Sequence, residues 1–246
     1  MKDSVVKSAG RVFEVLELFN SERKALTATG IARNLKYPAS SAVALLKSLV
    51  NRGYLSYDPA ERTYFPTVQL SLMTRWMEDS FYTEGHLLDL MDEVAKATGE
   101  SVYLAWQNDL EMQISRAKVG TREPCLNTFE SRIPIFDSVS GLTALTLKRD
   151  VEIAQLAERA SALGKASGTK FDLPSAMERI RGFRAQGYGV GYDAPQVGVG
   201  RLAWALRPKV VNRALVMLIA GPTDRIKADT KAITQSIQTV LRRYVS

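Results

Sequence analysis

The chain has one cysteine, Cys125, and one histidine, His86, among 246 residues. One thiol forms no disulfide within the chain, which fits a reducing compartment. A single Cys and a single His do not supply the ligand set of a Cys/His zinc site, so no metal is expected. No run of about 18 apolar residues is present to span a membrane. The opening MKDSVVKSAG carries no apolar core of a signal peptide. These absences lead to the expectation of a soluble, cytoplasmic protein with no membrane partner.

Catalytic signatures are missing as well. The sequence holds no G-x-S-x-G, no Walker loop and no H-E-x-x-H. The stretch GYGVGYDAPQVGVG is rich in glycine but does not fit G-x-G-x-x-G, and it follows a helical pattern instead of joining a strand to a helix. It reads as strand turns and bulges. With one His, proton transfer would fall to carboxylates, and no acidic pair stands isolated among apolar residues. No catalytic residue and no cofactor are therefore expected.

What is present is ample apolar content, 46% of residues, and a net charge of +7. That is enough for one or two domains with real cores. The charge is uneven. Residues 1–78 hold 11 Lys/Arg against 7 Asp/Glu, whereas residues 79–246 hold 22 against 19. The excess in the first third favours a polyanionic partner there, with ordinary surface charge as the alternative.

The first third is organised around LTATGIARNLKYPASSAVALLKSLVNRGYLSYDPAERTYFP, residues 26–66. Thr27 can cap a helix running to about Leu35, with Ile31 and Leu35 on one face. Lys36-Tyr37-Pro38 breaks it, because a residue before proline is pushed out of the helical region. A second helix from Ala39 or Ser40 places Ala42, Leu45, Leu46 and Leu49 on one buried stripe. Gly53 suits a left-handed C-cap. Two strands, Tyr54–Tyr57 and Arg62–Phe65, flank the turn Asp58-Pro59-Ala60-Glu61. Helix, turn, helix and hairpin make a winged helix-turn-helix, whose second helix enters the major groove. Residues 4–20 read as a supporting helix capped by Ser4, with Val5, Val12, Val15, Leu16 and Phe19 inward.

If the buried stripe of the second helix faces inward, its outer face presents Ala39, Ser40, Ser41, Val43, Ala44 and Lys47. The serines can bond phosphate or base edges, Lys47 a phosphate or guanine, and Val43 and Ala44 can touch thymine methyls. Arg33, Arg52 and Arg62 are backbone or minor-groove candidates, each equally explained as a solvated arginine.

Beyond Pro66, Leu70, Leu72, Met73 and Trp76 suggest a linker helix whose apolar side packs on a partner subunit or on the second domain. The expected division is a DNA-binding domain at 1–66, a linker helix at 67–80 and a second domain at 81–246. In the second domain a helix runs from Tyr82 to Gly99, with His86 as a surface or capping residue. Strands follow at 101–106 and 111–116, near Cys125–Phe129 and near Ile133–Phe136. A helix starts at Ser138 and continues to about Leu163, with a loop at 164–169. A helix capped by Asp172 ends at Gly187. Strands at 188–192, 200–206 and 214–220 precede a closing helix from Thr223 to Tyr244. Strands with helices against the sheet make an α+β domain. Asp137-Ser138-Val139-Ser140-Gly141-Leu142 opens a helix after a strand. Its free N–H groups, hydroxyls and glycine suit a small carboxylate, or make only a capped helix without ligand.

The segment SAGRVFEVLELFN, the P-x-S-S helix ending in L-x-x-R-G-Y, and the wing running into a linker helix resemble the IclR family of bacterial transcription regulators. The segments LLDLMDEVAKATGESVYLA, PIFDSVSGLTAL and IRGFRAQGYGVGYD fall in the matching order, so the resemblance covers nearly the whole chain. It implies an N-terminal winged helix-turn-helix joined by a linker helix to a GAF-like antiparallel-sheet effector-binding domain. It implies double-stranded operator DNA and a small-molecule effector, frequently an organic acid, as partners, in a homodimer or homotetramer.

Residue by residue, the resemblance adds Arg11, which matches the arginine of the family's S-x-x-R start, to the DNA contacts. The family usually carries Arg and often His where this chain has Ala44 and Val43. The Ser138, Ser140 and Gly141 segment corresponds to one that lines the family's effector site. The family's His and Lys flanking it are here Phe136 and Leu142, which implies a more hydrophobic or aromatic effector. Asp193 lies near the family's acidic residue at the pocket mouth, or only caps a turn. Trp204 and Met217 are candidate apolar walls, or simple core. From a different class, the alternative is an enzyme or protein-interaction adaptor that uses the winged helix as a scaffold.

Overall fold

A computed structural model describes residues 6–78, 86–124, 132–167, 172–193, 196–207 and 214–244. The chain divides into two compact units, Met1–Asp79 and Ser80–Ser246. The first contains α1 (Lys7–Glu22), β1 (Leu26–Thr27), α2 (Ala28–Leu35), α3 (Ala39–Asn51), β2 (Leu55–Asp58), β3 (Thr63–Pro66) and α4 (Val68–Glu78). Local chemistry sets the boundaries. The Thr27 hydroxyl accepts the Gly30 N–H at 3.1 Å and starts α2. Lys36 turns left-handed at φ 55°, and Pro38 supplies the next helix start. After α3, Gly53 at φ 80° lets the Tyr54 N–H return to the Leu49 carbonyl at 2.9 Å.

Val15 and Phe19 of α1 pack on Ile31, Leu46, Leu49, Leu55 and Tyr64. Each such side chain contributes roughly 1.5–3 kcal/mol when removed from water. Val12 packs at the edge and Leu16, expected inside, is half-buried. Ser4 and Val5 lie outside the described residues. The expected two-stranded ribbon gains a third strand: β1 pairs with β3 through Leu26↔Tyr64 and Thr27↔Thr63, giving the order β1-β3-β2. Two residues are too few for a period-2 pattern to announce a strand.

The second unit contains α5 (Leu87–Thr98), β4 (Ser101–Asn108), β5 (Glu111–Lys118), β6 (Arg132–Pro134), α6 (Val139–Leu145), α7 (Asp150–Ser167), α8 (Leu173–Gln186), β7 (Gly189–Tyr192), β8 (Val199–Leu206), β9 (Leu215–Pro222) and α9 (Thr223–Tyr244). The strands form one antiparallel sheet in the order β6-β5-β4-β9-β8-β7. The central strand β9 is buried on both faces, and its alternating residues serve two cores. Val216, Leu218 and Ala220 belong to the core shared with α6, α7 and α8, whereas Leu215, Met217 and Ile219 belong to the core shared with α5 and α9.

Three boundaries depart from the sequence expectation. The long helix from Ser138 stops at Leu145, and α7 begins anew at Asp150. The Glu152 carboxylate accepts both the backbone N–H (2.9 Å) and the Nε–H (3.0 Å) of Arg149, half of a capping box that restarts the helix. α7 then continues to Ser167 across the expected loop at Gly164, because one glycine does not overcome a helix already propagating. The strand near Ile133–Phe136 is displaced to Arg132–Pro134. The expected strand at Cys125–Phe129 and the helix start at Tyr82 fall outside the described residues. His86 occupies the N-cap position of α5, with Nδ1 3.3 Å from Asp89 Oδ2.

Candidate functional site

The outward face of α3 is open. Ala39, Ser40, Ala44 and Lys47 are exposed, Ser41 and Val43 are half-buried, and Ala42, Leu46 and Leu49 carry the packing. A groove of about 540 Å³ runs between this face and the hairpin. Val43, Lys47 and Asn51, spaced i, i+4, i+8 on α3, form one wall. Tyr57 and Arg62 of the hairpin form the other, and Thr29 at the start of α2 closes one side. None of the lining residues is acidic. Arg62 sits at the hairpin tip with φ 53°. Nearby, Asp58 Oδ1 accepts the N–H groups of Ala60 (2.8 Å) and Glu61 (3.3 Å), which fixes the turn.

The two hairpin tyrosines pack together, with ring centroids 4.8 Å apart. Burial, then the neighbouring Tyr57, push the Tyr64 hydroxyl above its ordinary pKa. The remaining arginines are dispersed. The Arg11 guanidinium stacks 4.7 Å above the Tyr37 ring, and Tyr37 donates to the Glu14 carboxylate. Arg33 lies exposed in the last turn of α2, and Arg52 is the exposed C-cap of α3. Thus the structure gathers Val43, Lys47 and Arg62 around one groove, and Arg11, Arg33 and Arg52 do not line it. Thr29, Asn51 and Tyr57 were not singled out from sequence. Extending the Val43–Lys47 spacing by one turn would have found Asn51; Tyr57 and Thr29 arrive only through tertiary packing.

In the second unit, Ser138 caps α6: its Oγ accepts the Gly141 N–H at 2.9 Å and lies 3.3 Å from the Ser140 hydroxyl. Ser138 and Ser140 are 3% and 2% exposed. A Cβ on Gly141 would collide with the Ile135 carbonyl, so this glycine serves close packing of α6 on the preceding turn. Phe136 and Leu142 belong to the core on the α6 side of the sheet. Trp204 and Met217 belong to the core on the opposite side, and Trp204 stacks on Tyr188 at 5.8 Å. They therefore do not form walls around the Ser138–Leu142 turn. Strand alternation, which a one-dimensional reading cannot align between distant strands, decides the face.

Asp193 acts as a clasp. At φ 59°, its Oδ1 accepts the Gly198 N–H and the Thr223 hydroxyl, each at 2.8 Å. The Thr223 bond, then the Gly198 bond and the Lys227 charge, hold its carboxyl below the usual carboxylate range. One charged group on the α6 side was missed. Arg179 of α8 stands 5.6 Å from the Phe183 ring centroid. Its guanidinium is 3.7 Å from where a Gly191 Cβ would lie, beside Val139. The residue is exposed, as a mid-helix arginine is expected to be. Packing of part of its guanidinium on the core lowers its pKa, and no carboxylate meets it among the described residues. Among the described residues no group of His, Cys, Asp and Glu side chains is arranged to hold a metal, and no helix is long and apolar enough to cross a membrane.

An N-terminal winged helix-turn-helix with an open recognition face is followed in the chain by an α+β unit. Residues 8–59 match the IclR helix-turn-helix domain. The HTH-type transcriptional regulator XynR of Escherichia coli is 20% identical over 224 residues, covering 89% of each chain. Residues 8–59 thus carry an IclR helix-turn-helix domain, and the chain as a whole is similar to an IclR-type transcriptional regulator. Solved structures share its fold along nearly the whole length. The Thermotoga maritima IclR superposes with a TM-score of 0.70 at 15% identity, over 98% of this chain and 100% of the other. An IclR homolog complexed with 4-hydroxybenzoate from Microbacterium hydrocarbonoxydans gives 0.67 at 21% identity, over 96% and 99%.

Proposed function

We propose that this regulator binds operator DNA as a homodimer or homotetramer and releases or tightens it in response to a small organic acid, an aromatic one above all. The division of labour is a DNA-binding domain at 1–66, a linker helix at 67–80 and an effector domain at 81–246, acting in the cytoplasm. The observation that carries the reading is the open face of α3 beside an acid-free groove with Lys47 and Arg62 on its walls. A short helix with few polar side chains gains specific affinity by acting in pairs. The stripe Val68, Leu72 and Trp76, spaced i, i+4, i+8 on α4 and 70%, 52% and 65% exposed, supports association between copies. For the effector, the exposed guanidinium of Arg179 beside Val139 and Phe183 supports a carboxylate with an apolar body. The 4-hydroxybenzoate held by the Microbacterium homolog is a compound of that class.

The test is fluorescence anisotropy with a labelled duplex from upstream of the protein's own gene and a scrambled duplex, across a salt series. Preference for the upstream duplex, altered by 4-hydroxybenzoate or a related aromatic acid, is expected. Equal binding to both duplexes and no thermal shift with any acid would overturn the reading.

A further inference from the structure

We infer that the groove between α3 and the hairpin seats the sugar–phosphate backbone of one DNA strand, and that Thr29, Asn51 and Tyr57 are the positioning residues that set how deep α3 enters. This rests on the DNA-binding reading and specifies its mechanics. The groove has two chemical layers. Its floor includes Val50 and the Tyr64 ring, which suit the C–H faces of deoxyribose. Its rim carries Lys47 and Arg62, which suit phosphate oxygens, and the lining contains no acid to repel them. An apolar sugar edge alternating with an anionic phosphate is the chemistry of a nucleic-acid backbone.

The rim is also unspent. Among the described residues, the side chains of Thr29, Lys47, Asn51 and Arg62 and the Tyr57 hydroxyl take part in no hydrogen bond or ion pair. Five polar groups from three elements thus converge on one channel with their bonding capacity free. The elements are held rigidly against one another. The β1–β3 pairing fixes the start of α2 to the hairpin base, and the Tyr57–Tyr64 contact fixes the hydroxyl side of the wing. A strand seated here is gripped from α2, α3 and the wing together. That sets the height of Ser40, Ser41 and Ala44 over the bases. The two cations supply affinity, and the three neutral groups supply distance and orientation.

The experiment uses the full-length protein, the labelled upstream duplex and the scrambled duplex. Lys47→Ala and Arg62→Ala are each expected to reduce the slope of log affinity against log salt by about 0.9, the loss of one phosphate contact. Asn51→Ala, Thr29→Ala and Tyr57→Phe are expected to weaken binding to both duplexes about 3–30-fold with the slope unchanged, since neutral donors release no counterion. Thermal melting confirms that each variant is folded; Tyr57→Phe keeps the ring on Tyr64. A scan of single methylphosphonates along each strand supplies the second readout. One phosphate is expected at which neutralisation costs the native protein several-fold but costs Asn51→Ala or Tyr57→Phe markedly less. Native affinity in all three neutral variants, or losses that multiply independently at every phosphate, would overturn the groove assignment. If the native protein itself binds neither duplex, the DNA-binding reading fails and the groove assignment falls with it.

Discussion

Arg225 grips Glu100 at two points, Nε to Oε1 and Nη2 to Oε2, each at 2.7 Å. Glu100 is 1% exposed, at the junction of α5 and β4, while Arg225 stands in the first turn of α9. The same guanidinium donates to the carbonyls of Arg122, Glu123 and Pro124, so one side chain ties the segment after β5 to the closing helix. Removing Arg225 leaves the buried Glu100 carboxylate to the longer contact with Arg122, at 3.7 Å. Arg225→Ala is therefore expected to destabilise the second unit by about 3–5 kcal/mol. Urea unfolding checks this, and a loss under about 1 kcal/mol would mean that Arg122 or water takes over the Glu100 carboxylate.

The α6 start gives a graded pair. Ser138→Ala removes one cap and is expected to cost about 1 kcal/mol. Gly141→Ala drives a methyl into the Ile135 carbonyl and is expected to cost more than the cap, about 1–3 kcal/mol or more, as overpacking does. Thermal or chemical unfolding of both orders them; equal stability of Gly141→Ala and the native chain would show that the turn yields freely.

Trp204 separates core from pocket wall. As a core residue between Tyr188 and the α5–α9 side, its replacement by Ala is expected to cost about 3–5 kcal/mol. A pocket wall would tolerate the change with little loss of stability.

Asp193 carries a pH signature. Its folded pKa lies below the ordinary value near 3.8. Its contribution is therefore complete above that ordinary value and is lost as pH falls through the depressed folded value. Asp193→Asn should accordingly be less stable than the native chain at neutral pH. The gap should close in acid, as read from melting temperatures between pH 7 and about pH 2. A gap that persists at the acid end would mean that shape, not charge, closes the Asp193–Thr223 clasp.

The apolar stripe of α4 predicts self-association. Leu72→Glu combined with Trp76→Glu puts two like charges on that stripe and is expected to lower the oligomeric mass in multi-angle light scattering. An unchanged mass would place the interface elsewhere.

Helix starts were legible where a single residue forms the cap. Thr27 and Ser138 were both found because a hydroxyl bonding the third N–H along is a short-range event. The break at Arg149 was not, because there an arginine occupies the N-cap and Glu152 does the capping. The outer face of α3 followed from periodicity alone, since Ala42, Leu46 and Leu49 point to one side of any helix. Its continuation to Asn51 and the arrival of Tyr57 opposite it depended on the hairpin folding back.

Sequence by itself determined the winged helix, the open face of α3 and the closing helix. Those features rest on spacing within a few residues. Tertiary structure alone decided that Trp204 and Met217 face away from Ser138 and Leu142, that Glu100 finds Arg225 from the far end of the unit, and that Thr29, Asn51, Tyr57 and Arg62 share one groove. Each of those facts depends on how distant elements pack: strand register for Trp204 and Met217, and the docking of helices and hairpin for the others. A shift of one residue in register would turn Trp204 and Met217 to the other face.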